Sequence, residues 1–281
     1  MTKTDHNLQK KIALINDYSG FGRCSVAVQL PLISAMKVQC CPLPTAIFSN
    51  HTGFPDFCCR DFTDDMQEYI SMWRQLDLRF DGICTGFLGS ERQIDIVSGF
   101  IRDFKNENTL VLVDPVMGDY GRTYATYTAQ MCLKMKSLAR LADILTPNLT
   151  EACILTDTPY KERWKRAEIE KLIKKVAAFG AKKTVITGIP QKSFVCNLCY
   201  DSVSEEIYMI KTHRIGTTRS GTGDVFSAIL AAAAVRGMDF KTSVRKASSF
   251  IKKCILKAEE MDIPVTDGVP FEEIFTSFNW N

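Results

Sequence analysis

The chain has 281 residues, of which 46% are hydrophobic and 24% are charged, a composition typical of globular proteins. Its length suits one large α/β domain or two small ones, and the lack of repeats and linkers favours a single domain over residues 1–281. The formal net charge of +3 is too small to indicate binding to nucleic acid or membrane surfaces. No apolar run reaches membrane-spanning length and no signal peptide precedes the first strand, so we expect a cytoplasmic protein.

Eleven cysteines stand out in this composition, and Cys196 and Cys199 have the C-x-x-C spacing. A zinc site would need a second pair of ligands at a suitable spacing. The three histidines do not supply that pair; they are His6, His51 and His213. Because a reducing compartment is expected, we interpret the cysteines as ordinary buried or strand residues without a metal or redox role.

Strand and helix patterns alternate from the beginning of the chain. A short apolar run at 12–15 predicts a strand, and turn-forming residues then lead into a helix that ends near residue 36. Residues 38–48 read as extended chain, in which two prolines favour an edge or a separate small sheet over a central strand. The following patterns predict a helix at 66–76, a strand at 83–88, a helix at 94–104 and a strand at 110–113.

The second half continues this alternation with one exception. Residues 144–145 and 184–187 predict strands on either side of a helix at 162–179. The exception is an antiparallel hairpin, predicted by extended segments at 193–200 and 205–211 that a polar turn joins. The order of elements therefore predicts an α/β fold with a central, mostly parallel sheet, helices on both faces and a small antiparallel hairpin.

The stretch Arg219-Ser-Gly-Thr-Gly-Asp-Val-Phe-Ser-Ala228 places a lone carboxylate, Asp224, behind two glycines at the start of an apolar helix. Gly221 and Gly223 allow a phosphate to approach the backbone, and the first helical turn has amide N–H groups free to bind it. Asp224 would repel that anion unless it accepts a proton from an attacking hydroxyl group. The alternative, that Asp224 only caps the helix, fits these residues equally well.

Polar side chains also follow other predicted strands, where ligands bind in open parallel sheets. Carboxylate and amide oxygens are the ligands that Mg²⁺ or a monovalent cation prefers. Each residue taken singly has an ordinary interpretation as part of a turn or as an acid in a first helical turn. Their occurrence at successive strand ends nevertheless indicates a ligand site. The candidates are Asp114 and Asp119, then Thr146, Asn148 and Glu151, then Gly188.

Four motifs occur in order along the chain: Phe48-Ser-Asn-His-Thr-Gly53, Asp114-Pro-Val-Met-Gly-Asp119, Thr146-Pro-Asn-Leu-Thr-Glu151 and Gly221-Thr-Gly-Asp224. Together they resemble the vitamin B6 kinases, the pyridoxal and pyridoxamine kinase branch of the ribokinase-like superfamily. The glycine tetrad is shared across that superfamily, whereas Phe-Ser-Asn-His-Thr-Gly is a marker of the B6 branch. The resemblance implies a ribokinase-like fold with small flap strands, and ATP-dependent phosphorylation of the 5′-hydroxymethyl group of pyridoxal, pyridoxamine or pyridoxine.

The resemblance also implies a role for each matching residue. The implied catalytic residues are Asp224 as base, with Gly221, Thr222 and Gly223 as the anion hole. The implied metal-binding residues are Asp119 and Glu151 for Mg²⁺, and Asp114 and Thr146 for K⁺ or another monovalent cation. The implied nucleotide-binding residues are Asp119, Asn148, Thr187, Gly188 and Thr222. The implied contacts to the vitamer are Asn16, Phe48, His51, Thr52, Phe87 and Asp224.

Small molecules are the expected partners, namely ATP and a B6 vitamer, with no nucleic acid and no membrane; the resemblance further implies a homodimer. Asn16 stands where many B6 kinases carry serine, which leaves the preferred vitamer open. His51 serves equally well as a structural hydrogen-bonding residue. Whether Arg122 and Tyr124 fold over the nucleotide also stays open, since a solvated loop is the default for such residues.

Two other functions fit the same motifs. A hydroxymethylpyrimidine kinase of thiamine synthesis would use the same anion-binding cradle, formed by Gly221 to Gly223, on a related aminopyrimidine. A non-catalytic vitamer-binding or regulatory protein could share the fold, although the intact tetrad with its carboxylate weighs against it. The chain lacks a P-loop and a G-x-G-x-x-G turn, which argues against P-loop, protein-kinase and Rossmann alternatives.

Overall fold

The computed structural model describes residues 4–276 and residue 279. Within these residues, nine strands form one sheet and two short strands form a separate ribbon. The strands are β1 (Lys11–Ser19), β2 (Gln39–Phe48), β3 (Cys59–Asp61), β4 (Gly82–Thr85), β5 (Leu110–Val113), β6 (Gly118–Asp119), β7 (Arg122–Thr123), β8 (Ile144–Leu145), β9 (Lys183–Gln191), β10 (Phe194–Asp201) and β11 (Glu206–His213).

The helices connect these strands and close the chain. They are α1 (Ser25–Ala35), α2 (Met66–Gln75), α3 (Glu91–Phe104), α4 (Ala129–Ala139), α5 (Leu149–Leu155), α6 (Arg166–Ala177), α7 (Thr222–Val235), α8 (Phe240–Glu260) and α9 (Glu272–Phe275), with a 3-10 turn at Val265–Asp267. In this part of the chain no helix is both long and apolar enough to cross a bilayer.

The order of strands across the large sheet is β11-β10-β9-β8-β5-β4-β1-β2-β3. The six strands from β9 to β2 run parallel, whereas β3 and β10 pair antiparallel with their neighbours. The predicted hairpin is β10 and β11, which pair antiparallel from Phe194↔His213 to Asp201↔Glu206. The predicted α/β architecture with a mostly parallel sheet is therefore confirmed.

Two apolar cores cover the two faces of the sheet. Side chains alternate along a strand, so Ile12 and Leu14 of β1 enter one core while Ala13 and Ile15 enter the other. Helices α1, α7 and α8 pack on the Leu14 side, and α2 to α6 pack on the Ile15 side. This arrangement buries α7 almost completely and fixes its amino-terminal end at the carboxyl edge of the sheet.

The extended segment at 38–48 lies in the large sheet and not in a separate one. Strand β2 pairs with β1 along its length, but β3 covers its outer side only at residues 46–48. Pro42 and Pro44 precede that covered part, where β2 forms the edge of the sheet. Because proline lacks a backbone N–H, an open edge tolerates it. The expectation of an edge position is met over this stretch.

Candidate active site

The carboxyl ends of the central strands lie side by side, and predicted site residues follow them directly. The strand register aligns Ile15 of β1 with Thr85 of β4, and Val113 of β5 with Leu145 of β8. Thr85 in turn aligns with Val113. The residues that come next on β1, β5 and β8 are Asn16, Asp114 and Thr146. The sheet therefore gathers side chains that are far apart in sequence along one edge.

The glycine tetrad begins helix α7 at this edge. Gly221 has φ +78°, and a Cβ at this position would lie 2.0 Å from the carbonyl oxygen of Arg23, so only glycine fits. A Cβ on Gly223 would lie 3.9 Å from a carboxylate oxygen of Asp114, which shows that the cradle faces that acid. The Thr222 hydroxyl donates to the Arg219 carbonyl oxygen at 3.3 Å. The first-turn amides of α7, which have no partner within a helix, are thus available to an anion.

Asp224 is partly buried in the first turn of α7. Burial raises its pKa to about 6, while the Ser25 backbone amide and the Asn16 side chain, as hydrogen-bond donors, act in the opposite direction. The Asn16 amide nitrogen donates to Asp224 Oδ1 at 3.1 Å. A carboxylate with a pKa near neutrality is suited to accepting a proton. In this structure Asp224 makes no side-chain cap of α7, whose N-cap residue is Gly221.

The Asn16 side chain is committed to protein partners at each of its hydrogen-bonding positions. Its amide nitrogen donates to Gln29 Oε1 at 2.9 Å as well as to Asp224. Its oxygen accepts the backbone N–H of Asp17 at 3.0 Å and of Phe87 at 2.7 Å. An amide group has two donors and two acceptor lone pairs, so no position is left over. The geometry gives Asn16 the role of holding Asp224, and a contact to a vitamer stays a prediction.

Three further carboxyl groups lie at this edge of the sheet: Asp114 is next to Asp224, Glu151 is next to Asp114, and Asp119 is next to Glu151. Burial and the charge of Asp224 raise the pKa of Asp114 well above its ordinary value. Burial and the charge of Asp114 likewise raise the pKa of Glu151 well above its ordinary value. The backbone amides of Asn148 and Met117, which donate to the Glu151 carboxylate at 2.7 and 3.2 Å, lower this pKa in part. Burial also raises the pKa of Asp119. Crowded acids of this kind favour a bound cation, which would neutralise their mutual repulsion.

The acidic residues fit a metal that also binds phosphate oxygens. Within residues 4–276, no group of three His, Cys, Asp or Glu side chains is arranged to hold a metal ion alone. Mg²⁺ commonly uses one or two carboxylates together with substrate phosphates. The hydroxyl groups of Thr85 and Thr146 are buried without a hydrogen-bond partner among the described residues. Thr85 ends β4 and Thr146 follows β8, the two strands that flank β5 and the Asp114 that follows it. Such orphaned oxygens beside an acid suit a monovalent cation.

Three of the predicted nucleotide-binding residues, Asn148, Thr187 and Gly188, lie on the β8 and β9 side of the site, whereas Asp119 lies on β6 and Thr222 begins α7. Asn148 caps helix α5: its oxygen accepts the Glu151 N–H at 2.9 Å, and its nitrogen donates to the Gly118 carbonyl at 2.8 Å. The Thr187 N–H donates to the carbonyl oxygen of Pro147, which lies between β8 and α5. Gly188 is exposed with φ +70°. The Asn148 side chain is engaged within the protein, so its contact to a nucleotide phosphate stays a prediction.

The predicted vitamer side is built from aromatic rings. The rings of Phe48 and Phe87 lie 6.4 Å apart in an edge contact, and Phe48 also contacts Phe57. Thr52 is exposed. His51 makes structural bonds: its Nε2 lies 2.6 Å from the Thr266 carbonyl oxygen, and its Nδ1 accepts the Gly53 N–H at 3.0 Å.

The ribbon of β6 and β7 carries the two residues whose role the sequence leaves open. Arg122 is exposed at the start of β7. The pKa of Tyr124 is raised by burial and then by the charge of Glu151, with smaller effects from Asp119 and Asp114. The phenol therefore lies close to the acidic residues, while its ring remains 43% exposed. This position is compatible with a residue that closes over a nucleotide.

Sequence reasoning missed three residues that complete the surroundings of Asp224. They are Asp17, Ser25 and Gln29, all buried. Gln29 bridges Asn16 to the Ser227 hydroxyl, to which its amide nitrogen donates at 3.0 Å. A polar residue among the apolar positions of α1 was the available signal for Gln29. Ser25 has a left-handed backbone, φ +53°, which no sequence pattern reveals for serine.

Comparison with known proteins agrees with this geometry. The phosphomethylpyrimidine kinase family profile matches residues 30–266. A pyridoxal kinase from Arabidopsis thaliana is 29% identical over 197 residues, which cover 67% of this chain and 62% of the relative. A hydroxymethylpyrimidine/phosphomethylpyrimidine kinase from Haemophilus influenzae is 32% identical over 174 residues, which cover 60% and 63% respectively. The chain thus spans less than two-thirds of the length of these curated relatives.

A solved structure matches over nearly the whole chain. It is a crystal structure, in a form with pyridoxal, of a Bacteroides thetaiotaomicron protein assigned to the phosphomethylpyrimidine kinases. The two proteins are 35% identical, the match covers 96% of each, and the TM-score is 0.93. The resemblance to pyridoxal kinases of the ribokinase-like superfamily is thereby confirmed, and the chain belongs to the phosphomethylpyrimidine kinase family.

Proposed function

We propose that this protein is a kinase that transfers the γ-phosphoryl group of ATP to the 5′-hydroxymethyl group of a B6 vitamer. The observation that carries the proposal is the placement of Asp224. Its carboxylate, with a pKa of about 6, lies at the amino-terminal end of α7 directly behind the glycine cradle. A base and an anion-binding helix end in one turn serve a hydroxyl group that attacks a phosphate.

In the proposed reaction, Asp224 accepts the proton of the acceptor hydroxyl group as its oxygen attacks phosphorus. Asn16 and the Ser25 amide keep the carboxylate oriented toward that hydroxyl group. The first-turn amides at Thr222 and Gly223 stabilise the charge on the transferring phosphoryl group. Mg²⁺, held by Asp119 and Glu151, would supply charge neutralisation at the phosphates when bound.

The remaining parts of the proposal concern ligands and assembly. Asp114 and Thr146, together with the orphaned hydroxyl of Thr85, would hold K⁺ or another monovalent cation. Asn148, Thr187 and Gly188 would lie along the nucleotide. We further propose that one domain carries the whole activity, that the protein acts as a cytoplasmic homodimer, and that its partners are ATP and the vitamer.

Two acceptors compete as the physiological substrate. The vitamer is supported by the aromatic pair Phe48 and Phe87 and by the pyridoxal in the crystal form of the 35% identical homologue. Hydroxymethylpyrimidine is supported by the matching family profile and by the Haemophilus influenzae relative. Both are flat rings that carry a hydroxymethyl group, so the same base and cradle serve either one.

A coupled assay of ADP release separates these possibilities. Pyridoxal, pyridoxamine, pyridoxine and hydroxymethylpyrimidine are compared at equal concentration with Mg²⁺ and ATP, with and without K⁺. We expect the highest kcat/KM with a B6 vitamer. A higher kcat/KM with hydroxymethylpyrimidine would show that this pyrimidine, and not a B6 vitamer, is the acceptor. If none of the four compounds causes ADP release, the protein is a non-catalytic binding protein.

The variant Asp224→Asn tests the base. We expect it to bind ATP and pyridoxal with affinities near those of the wild type while kcat falls by about 10²–10⁴-fold. The matched control is Asp64→Asn, in which the replaced carboxylate is 87% exposed on the surface. Turnover of Asp224→Asn within a few-fold of the control would show that Asp224 is not the base.

A further inference from the structure

Ser25 has an unusual backbone at the start of α1, next to the proposed base. Its φ is +53°, in the left-handed region that favours glycine and that costs energy in a residue with a Cβ. Ser25 is also 7% exposed, so solvent does not stabilise this conformation. A strained residue that persists in a buried position needs contacts that hold it there.

The contact that holds Ser25 comes from a second buried carboxylate, Asp17. The Ser25 hydroxyl donates to Asp17 Oδ1 at 2.7 Å, and the Ser19 hydroxyl donates to Asp17 Oδ2 at 3.1 Å. Asp17 is 5% exposed, and burial raises its pKa. The Ser25 hydroxyl does not cap helix α1, whose N-cap residue Cys24 also makes no side-chain cap bond. The bond to Asp17 is therefore not explained by helix capping.

The same residue reaches the proposed base through its backbone. The Ser25 backbone amide lies close enough to the Asp224 carboxylate to lower its pKa, and the preceding residues, Arg23 and Cys24, lie against Gly221 at the start of α7. Asn16, the neighbour of Asp17, supplies the other donor, at 3.1 Å from Asp224 Oδ1. The end of β1 thus supports Asp224 in two ways: Asn16 binds it directly, and Asp17 acts through Ser25.

We infer that Asp17 is a positioning residue for the phosphoryl-transfer reaction. By holding the Ser25 hydroxyl, it fixes the left-handed backbone that aims the Ser25 amide at Asp224. The inference rests on the proposed function, in which Asp224 accepts the proton of the acceptor. Substitutions at Asp17 or Ser25 that release this backbone should therefore lower kcat and leave the binding of ATP unchanged.

Glycine at position 25 separates this role from simple stabilisation of the fold. Glycine adopts φ +53° without a side-chain tether, whereas alanine is strained there and has no hydroxyl group. We expect Ser25→Gly to keep kcat within about threefold of the wild type. We expect Ser25→Ala and Asp17→Ala each to lower kcat by roughly tenfold or more, with the KM for ATP unchanged, because small displacements of a catalytic group are costly.

The decisive measurement is rescue in the double variant. In Asp17→Ala/Ser25→Gly the tether is no longer needed, so kcat should return to the value of Ser25→Gly alone. Asp17→Asn should also stay near the wild type, since its oxygen still accepts the Ser25 hydroxyl. Ser98→Ala serves as the control, because that serine hydroxyl donates to the Ile94 carbonyl oxygen within helix α3, on the other face of the sheet.

Steady-state kinetics with pyridoxal and ATP, together with thermal unfolding, are measured for every variant. If Ser25→Ala does not fold, Asp17→Ala with and without Ser25→Gly gives the same contrast. Two results would overturn the inference alone, provided that the wild type is active. One is a kcat of Ser25→Ala equal to that of the wild type, and the other is a kcat of the double variant no higher than that of Asp17→Ala. A wild type without kinase activity would overturn the proposed function and the inference with it.

Discussion

Removal of the Asn16 side chain should change both the stability of the protein and the pH at which its activity begins. In Asn16→Ala, the buried backbone N–H groups of Asp17 and Phe87 lose their acceptor. Each unsatisfied buried group costs about 1–3 kcal/mol, so for these two groups we expect a loss of about 2–6 kcal/mol in the free energy of unfolding. Urea unfolding monitored by far-ultraviolet circular dichroism measures this loss.

The effect on pH dependence follows from the lost hydrogen bond to Asp224. The wild-type kcat/KM should fall below a pH of about 6 as Asp224 becomes protonated. The Asn16 amide lowers this pKa, so its removal should move the acid limb of the profile to higher pH. A hydrogen bond to a charged group contributes about 1.5–3 kcal/mol, which corresponds to roughly one to two pH units. Water that enters the space left by the Asn16 side chain would donate to Asp224 in its place, so we expect a shift close to one pH unit.

The matched control is Gln93→Ala. Gln93 is another buried amide, 1% exposed, and it bonds the Thr45 carbonyl, the Thr63 hydroxyl and the Gly89 N–H. Its removal should cost similar stability without moving the acid limb. An acid limb of Asn16→Ala that stays in place or moves to lower pH, while that of Gln93→Ala is unchanged, would refute this role of Asn16.

Three further predictions concern other parts of the site. Because burial raises the pKa of Asp224 from 3.8 to about 6, the wild type loses stability as pH rises through that window and Asp224 ionises. In urea unfolding, Asp224→Asn should therefore be more stable than the wild type by roughly 2–3 kcal/mol at pH 8, with no difference below pH 4. Gly221→Ala should abolish turnover, since its Cβ would lie 2.0 Å from the Arg23 carbonyl, whereas Gly237→Ala, with φ +75° and open space, should only lose stability. Thr146→Val should raise the K⁺ concentration for half-maximal activity by about tenfold without destabilising the protein in K⁺-free buffer, because its hydroxyl has no partner among the described residues; unchanged K⁺ dependence would contradict this role.

Sequence patterns predicted the fold well because its main signals are local. Apolar runs at 12–15 and 110–113 mark buried strands, and the turn at 201–204 marks the hairpin of β10 and β11. Lengths were less predictable: the strand expected at 184–187 extends over Lys183–Gln191, because its continuation pairs with β10. Pairing between strands decides where a strand ends, and a single sequence does not show the partner.

The candidate site shows the same division between local and non-local information. The tetrad around Asp224 was visible because its glycines and the apolar helix are adjacent in sequence. The fully occupied hydrogen bonds of Asn16 were not, since its partners come from α1, from α7 and from the residue after Gly86. Gly86 itself shows how tightly this is built, because a Cβ there would lie 2.4 Å from the Asn16 amide. The role of a polar residue depends on partners that only the fold brings together.

The carboxyl groups at this edge of the sheet are costly for the unliganded fold. Burial raises the pKa of Asp17, Asp114, Glu151 and Asp224 alike, so each of them is harder to ionise in the folded chain than in the unfolded chain. Stability of the free protein should therefore decline as pH rises through this range. A cation bound among these acids favours their ionised forms, and it stabilises only the folded state. Binding of Mg²⁺ and ATP should consequently raise the unfolding temperature more at pH 8 than at pH 5.5, because the acids are ionised at the higher pH and then attract the cation most strongly.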